Sequence, residues 1–270
     1  MTDNKDKKIA FFDIDGTLTS ELDGSVPDSA RDAIRLARAK GHKMFLNTGR
    51  CFQNVEPKFR EVGFDGYVCG CGTNIHVDGA EVLYVKQSPE VIASIRKVAG
   101  EAGVDILFEC RDFVAFDRTR PLTREAARIQ LQHFLDRGYD MDRDVYTEDF
   151  CCDKYVIWYE KEDQLSKVRA VSDEWFECID RHAGFREFVP KNYSKATGIQ
   201  YLLDYYGIPL ENAYAFGDSN NDLAMLTYVP NSVAMGNSIP EDLKKKVAYV
   251  TDKASEDGIA KALKNLGFLD

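Results

Sequence analysis

Four short runs, residues 9–14 (IAFFDI), 43–47 (KMFLN), 67–69 and 213–217 (AYAFG), constrain this chain more than any other feature. Each is too short for a helix and too apolar to leave one face in water, so each reads as a strand covered on both sides. The segments between them supply the cover. Residues 29–40 carry Ala30, Ala33, Ile34 and Ala37 on one helical face, with Asp28 placed to cap the start and Gly41 to stop the end. A second helix is expected through 55–61. Strands alternating with helices imply right-handed crossovers and a parallel sheet, a Rossmann-like α/β core.

The rhythm then changes. Residues 74–77 and 81–85 alternate around Asp78-Gly79, which predicts a hairpin with a two-residue turn. From residue 87 to about 188 the pattern predicts a helix (89–102), two strands (105–109, 113–117), a helix (123–136), a strand (155–159) and a helix (164–178). Paired strands with helices suggest an inserted α+β cap domain with an antiparallel sheet. After Pro190 the first rhythm returns, with a helix at 195–206, a strand at 213–217, a helix at 222–227, strands at 233–235 and 249–250, and a closing helix at 258–266. The expected organisation is a core of residues 1–83 plus 191–270 interrupted by a cap over 84–190.

Composition narrows the partners. With 44% hydrophobic residues in 270, there is ample apolar material for a folded core. The net charge of −10 repels phosphate backbones and anionic lipid. The short basic run Lys244 to Lys246 reads as a solvated helix face, so neither nucleic acid nor a membrane is an expected partner. No run approaches the roughly 18 apolar residues of a membrane span. Residues 1–8 are polar and lack the apolar stretch of a signal peptide, which points to the cytoplasm. The seven cysteines show no CxxC spacing and the four histidines lie far apart, which argues against zinc and for free thiols. A monomer or homodimer is expected.

In open α/β sheets, function gathers beyond the carboxyl ends of the strands. Those ends carry Asp13 and Asp15, then Thr48, then Asp218 and Asp222. Carboxylates converging at a partly buried rim repel one another unless a cation sits among them. Hard oxygen donors beside a site suited to phosphate favour Mg²⁺. Asp13 and Asp15, two apart, can face one side, one attacking while the other handles protons. Thr48 offers a hydroxyl beside Gly49, whose backbone can approach an oxyanion. Lys195, at the start of its helix, carries a charge that the helix dipole disfavours, so a functional use of that charge is attractive. Asn221 either shapes a turn or donates to a substrate oxygen.

Together these segments resemble the haloacid dehalogenase superfamily, in its Cof-like branch with a type IIB cap. Asp13-Ile14-Asp15-Gly16-Thr17-Leu18 resembles the first motif of that family and Asn47-Thr48-Gly49-Arg50 the second. Ser194-Lys195-Ala196-Thr197-Gly198 resembles the lysine motif, and the segment from Gly217 to Asp222 the acidic last motif. The resemblance implies a phosphatase of small phosphorylated metabolites (phosphosugar, nucleotide or phosphorylated cofactor) that works through an aspartyl-phosphate. It makes Asp13 the nucleophile and Asp15 the general acid and base. Thr48, Lys195 and Asn221 would hold the phosphoryl group. Mg²⁺ would be held by Asp13, the Asp15 backbone carbonyl and Asp218, with Asp222 in support. A phosphosugar mutase on the same fold is an alternative reading, and a non-catalytic binding module a more distant one. One segment departs from the family pattern: Cys69-Gly70-Cys71-Gly72-Thr73 stands where relatives often carry an Asn-Gly-Ala-like stretch.

Overall fold

A computed structural model of the protein describes residues 7–270, so most of the polar stretch at residues 1–8 lies outside the described residues. The described chain forms two compact units. One runs up to Gly49 and takes in Val55–Leu83 and Tyr193–Asp270; the other comprises Arg50–Asn54 and Tyr84–Asn192.

In chain order, the first unit begins with β1 (Ile9–Phe12), α1 (Asp28–Ala39), β2 (Lys43–Asn47), the single turn α2 (Pro57–Arg60) and β3 (Gly66–Cys69). A hairpin of β4 (Asn74–Val77) and β5 (Ala80–Tyr84) follows. Its turn residues Asp78 and Gly79 both have positive φ, 48° and 82°, the geometry whose twist matches paired strands. The second unit contains α3 (Pro89–Ala102), β6 (Asp105–Glu109), β7 (Val114–Phe116), α4 (Glu125–Asp136), β8 (Lys154–Trp158), α5 (Glu162–Ser172), β9 (Phe176–Asp180) and β10 (Phe185–Pro190). The first unit resumes with α6 (Lys195–Tyr206), β11 (Ala213–Ser219), α7 (Leu223–Tyr228), β12 (Asn231–Ile239), β13 (Tyr249–Val250) and α8 (Gly258–Asn265).

Among the described residues, the first unit's sheet has the order β13-β12-β11-β1-β2-β3-β4-β5. Pairing is parallel from β13 to β3 and turns antiparallel between β3 and β4. β1 lies at its centre and is wholly buried. Phe11 stacks on Phe45 and Phe12 on Phe216, with ring centroids 5.8 and 4.5 Å apart. Full burial of one such side chain contributes about 2–3 kcal/mol. The core is therefore anchored on the strand that delivers Asp13.

The second unit's sheet has the order β7-β6-β8-β10-β9, antiparallel throughout. One face packs Ile106, Phe108, Tyr155 and Phe188 with α3 and α5. The other packs Leu107, Val156 and Trp158 with Phe134 of α4. Three details differ from the sequence reading, the first being that β10 (Phe185–Pro190) had no counterpart in it and forms through its pairing with β8 and β9. The helix expected over 164–178 stops at Ser172, and residues 176–180 form β9, paired with β10. Phe176 and Phe188 bury themselves through that pairing, a long-range contact that outweighs the local helical pattern. The helix expected from residue 123 begins at Glu125, because the buried Asp105 carboxylate accepts the backbone N–H groups of Thr123 and Arg124 at 2.9 and 2.6 Å.

Candidate active site

The strand register brings the sequence motifs to one height. Phe12 is level with Leu46 on β2 and with Phe216 on β11, so the carboxyl ends of the three strands point to the same edge of the sheet. Asp13 follows β1, is 4% exposed, and donates its N–H to the Phe216 carbonyl at 3.1 Å. Thr48 follows β2, is buried, and donates its N–H to the Val68 carbonyl at 2.9 Å. Asp218 lies near the end of β11 and is partly exposed.

Lys195 opens α6, whose start is capped by the Ser194 side chain and the reciprocal Thr197 side chain. The side chain of Lys195 is 3% exposed. Its ammonium donates to Asp13 Oδ1 and, at 2.6 Å, to Asp222 Oδ1. The other oxygen of Asp222 accepts the backbone N–H groups of Asp218 and Ser219 at 2.9 and 3.2 Å. Asp222 therefore shapes the loop that carries Asp218 while pairing with Lys195. Carboxylate oxygens of Asp13, Asp218 and Asp222 all lie within 4.8 Å of one another. The Thr17 hydroxyl donates to Asp218 Oδ1 at 3.3 Å.

One buried ammonium among three carboxylates leaves a surplus of negative charge. Burial and the neighbouring Asp222 push the Asp13 carboxyl up to about 7 in spite of Lys195. Burial, Asp222 and Asp13 push Asp218 up to about 7 as well. Burial opposes the charge on Lys195, but Asp13 and Asp222 outweigh it and hold the ammonium above its ordinary value. A divalent cation would remove this surplus, and the donor set is all oxygen, so the residues present fit Mg²⁺.

The structure thus gathers Asp13, Asp218, Asp222 and Lys195. Asp15 is exposed and its side chain lies outside the three-carboxylate group, although its charge also raises Asp13. Asn221 is exposed, and its Oδ1 accepts the Ser219 hydroxyl.

The cysteine-glycine segment that departs from the family pattern has a clear packing role. Cys71 donates its N–H to the Thr48 carbonyl at 3.2 Å. Gly72, at φ 93°, lies so close to the start of α6 that a Cβ would strike the Ser194 carbonyl and approach the Gly198 nitrogen to 3.3 Å. Asn47, part of the second motif, received no role from the sequence. Fully buried, it donates from Nδ2 to the Lys195 carbonyl at 2.9 Å, tying β2 to α6. Its position beside Thr48 was the available signal.

Residues 10–263 match the family model described as haloacid dehalogenase-like hydrolase. The chain is similar to the putative phosphatase YkrA of Bacillus subtilis, with 31% identity over 98% of this chain and 99% of that one. It is 28% identical to the 5-amino-6-(5-phospho-D-ribitylamino)uracil phosphatase YitU of the same organism, over 94% and 95% of the two chains. Among solved structures, the subclass IIB sugar phosphatase BT4131 superposes with a TM-score of 0.80 at 28% identity, covering 97% of this chain and all of that one. A hypothetical protein from Geobacillus kaustophilus superposes with a TM-score of 0.85 at 26% identity, over 97% and 99% of the chains.

Proposed function

The chain belongs to the haloacid dehalogenase-like hydrolases, as a phosphoric monoester hydrolase of the Cof-like branch, and on that premise we propose that it is a Mg²⁺-dependent phosphatase of small phosphorylated metabolites. The observation that carries this reading is the cluster of Asp13, Asp222 and Lys195, all buried, with the partly exposed Asp218 at the strand ends. Its unbalanced negative charge suits a cation, and its lysine suits an incoming phosphoryl group.

Asp13 acts as the nucleophile. One of its carboxylate oxygens bonds to phosphorus while the bond from phosphorus to the substrate's ester oxygen breaks. Asp15 donates a proton to the departing alkoxide, which leaves as an alcohol. Asp15 then takes a proton from water as that water's oxygen attacks phosphorus, releasing inorganic phosphate and restoring the Asp13 carboxylate. Lys195 orients Asp13 through their ion pair and, with Thr48 and Asn221, neutralises and positions the phosphoryl oxygens. Asp13, the Asp15 carbonyl and Asp218, with Asp222 in support, would hold Mg²⁺, which would supply charge stabilisation to the transferring group.

We assign substrate selection to the inserted unit over residues 84–190. A sugar phosphatase and a phosphoribitylaminouracil phosphatase among the similar proteins support a substrate whose phosphate esterifies a polyhydroxylated carbon chain. The test is hydrolysis of an aryl phosphate and of a phosphosugar panel with and without Mg²⁺. Asp13→Asn is expected to remove turnover while the fold persists. Retained turnover in that variant would end the assignment.

A further inference from the structure

Asn237 lies 221 residues from Gly16 in sequence, yet its Nδ2 donates to the Gly16 carbonyl at 2.7 Å. Its Oδ1 accepts the Ala254 N–H at 3.1 Å. One neighbour is an acceptor and the other a donor, so the amide has a single orientation that satisfies both.

A built irregularity in β12 delivers this side chain. Gly217 pairs with Ala234 and Ser219 with Ile239, so Asp218 alone faces residues 235–238. Such a bulge re-aims side chains and is frequent beside active sites. Three contacts hold it. The Ser238 hydroxyl donates to the Met235 carbonyl at 2.7 Å, and the Lys244 ammonium donates to the Gly236 carbonyl at 2.7 Å. The Gly236 N–H donates to the Asp252 carbonyl at 3.1 Å.

The target is the turn that follows the nucleophile. Asp15 (φ −75°, ψ 117°) and Gly16 (φ 78°, ψ −4°) have the angles of a type II turn. A type I turn at the same residues would rotate the peptide between them by roughly 180° and reverse the Asp15 carbonyl. The Gly16 N–H, part of that same peptide, donates to Thr19 Oγ1 at 3.2 Å and opposes the rotation directly. Asn237 holds the next peptide through the Gly16 carbonyl, and so fixes the far side of the turn against which the Asp15–Gly16 peptide is set. A Cβ on Gly16 would come within 2.7 Å of Asp218 Cγ, so this turn also packs directly on the metal-site candidate.

We propose that Asn237, aimed by the bulge opposite Asp218, is a positioning residue that anchors the Gly16–Thr17 peptide and so holds in place the turn that presents the Asp15 carbonyl for Mg²⁺. The inference rests on the phosphatase reading given above.

Calorimetric titration with Mg²⁺ alone tests it, alongside aryl phosphate kinetics across a Mg²⁺ series. Asn237→Ala is expected to weaken Mg²⁺ binding about tenfold, as loss of an outer partner of a ligand typically does. The Mg²⁺ activation constant should shift by the same factor, and KM for substrate at saturating Mg²⁺ should hold. Thr19→Val removes the other clamp at nearly constant volume and is expected to act in the same direction, which keeps the test open if Asn237→Ala does not fold. A lowered Tm with unchanged Mg²⁺ affinity in the folded variants overturns the proposal and leaves the phosphatase reading intact. A native protein that neither binds Mg²⁺ nor hydrolyses phosphate esters ends both.

Discussion

The Lys195 ammonium donates to Asp222 Oδ1 at 2.6 Å across 27 residues of chain, joining the first turn of α6 to the loop after β11. Both side chains are buried, and the same ammonium also reaches Asp13. Removing one member of a buried ion cluster strands the others.

Lys195→Ala is therefore expected to cost about 3–5 kcal/mol at pH 8, because it leaves three carboxylates without their cation. Activity should be lost with it. Part of the stability should return as pH falls and the carboxylates take up protons. Urea unfolding at pH 8 and pH 5.5 checks both parts. Equal destabilisation at the two values would show that the charge cluster is not the cause.

Asp218→Asn has the opposite expected sign. The Asp218 carboxyl is raised to about 7 in the folded protein, from an ordinary value of 3.8. The folded state then holds a proton that the unfolded state has released, so stability declines as pH rises from about 4 to about 7 and stays low above that. The asparagine variant escapes the decline. With divalent cations chelated, it should be more stable than the native protein at pH 8, by up to about 4 kcal/mol, and little different at pH 4. Added Mg²⁺ should raise the Tm of the native protein and not that of the variant.

Glu187 is expected to contribute to acid stability in the second unit. Burial opposes its charge, but Lys154 and Arg181 outweigh that and lower its carboxyl to about 2. The Lys154 ammonium bonds Glu187 Oε1 at 2.5 Å and Glu109 Oε1 at 3.1 Å. A lowered carboxyl stabilises above its unfolded value near 4.5, and this contribution fades as pH falls towards 2. The contribution is on the order of 3 kcal/mol. Glu187→Gln should lose that amount at pH 7 and show a flatter stability profile between pH 4.5 and 2, measured by denaturant titration at each pH.

Gly72→Ala should disturb the site without touching a charged group. Its positive φ alone costs about 1 kcal/mol for alanine. The new methyl would also press on the Ser194 carbonyl and shift the first turn of α6. Gly24 has φ 69° with nothing within 4 Å of its would-be Cβ, so Gly24→Ala isolates the backbone part. The difference in stability between the two variants, and a lowered kcat in Gly72→Ala only, are the expected outcomes. Matching effects would mean that the close approach at Gly72 has no consequence for Lys195.

The α/β core was legible along the chain because its strands are buried on both faces and announce themselves as dense apolar runs. The motif residues Asp13, Thr48, Lys195 and Asp218 were legible for the same reason, since each follows such a strand or opens a capped helix. β9 and its partner β10 were not legible. Both draw their stability from pairing across the sheet, and the local pattern of β9 continued that of the preceding helix.

Residue order alone therefore determined which strands the α/β core has, which ends carry acids, and that a cation suits them, since burial on both faces and charge density are local properties. Tertiary structure alone decided how those acids divide their work. It turned both oxygens of Asp222 towards Lys195 and its own loop, left the Asp15 side chain exposed, and used a bulge to carry Asn237 to Gly16. A hydrogen bond between residues 221 positions apart, such as that of Asn237 to Gly16, depends on strand register and close packing, and neither can be read from spacing along one chain.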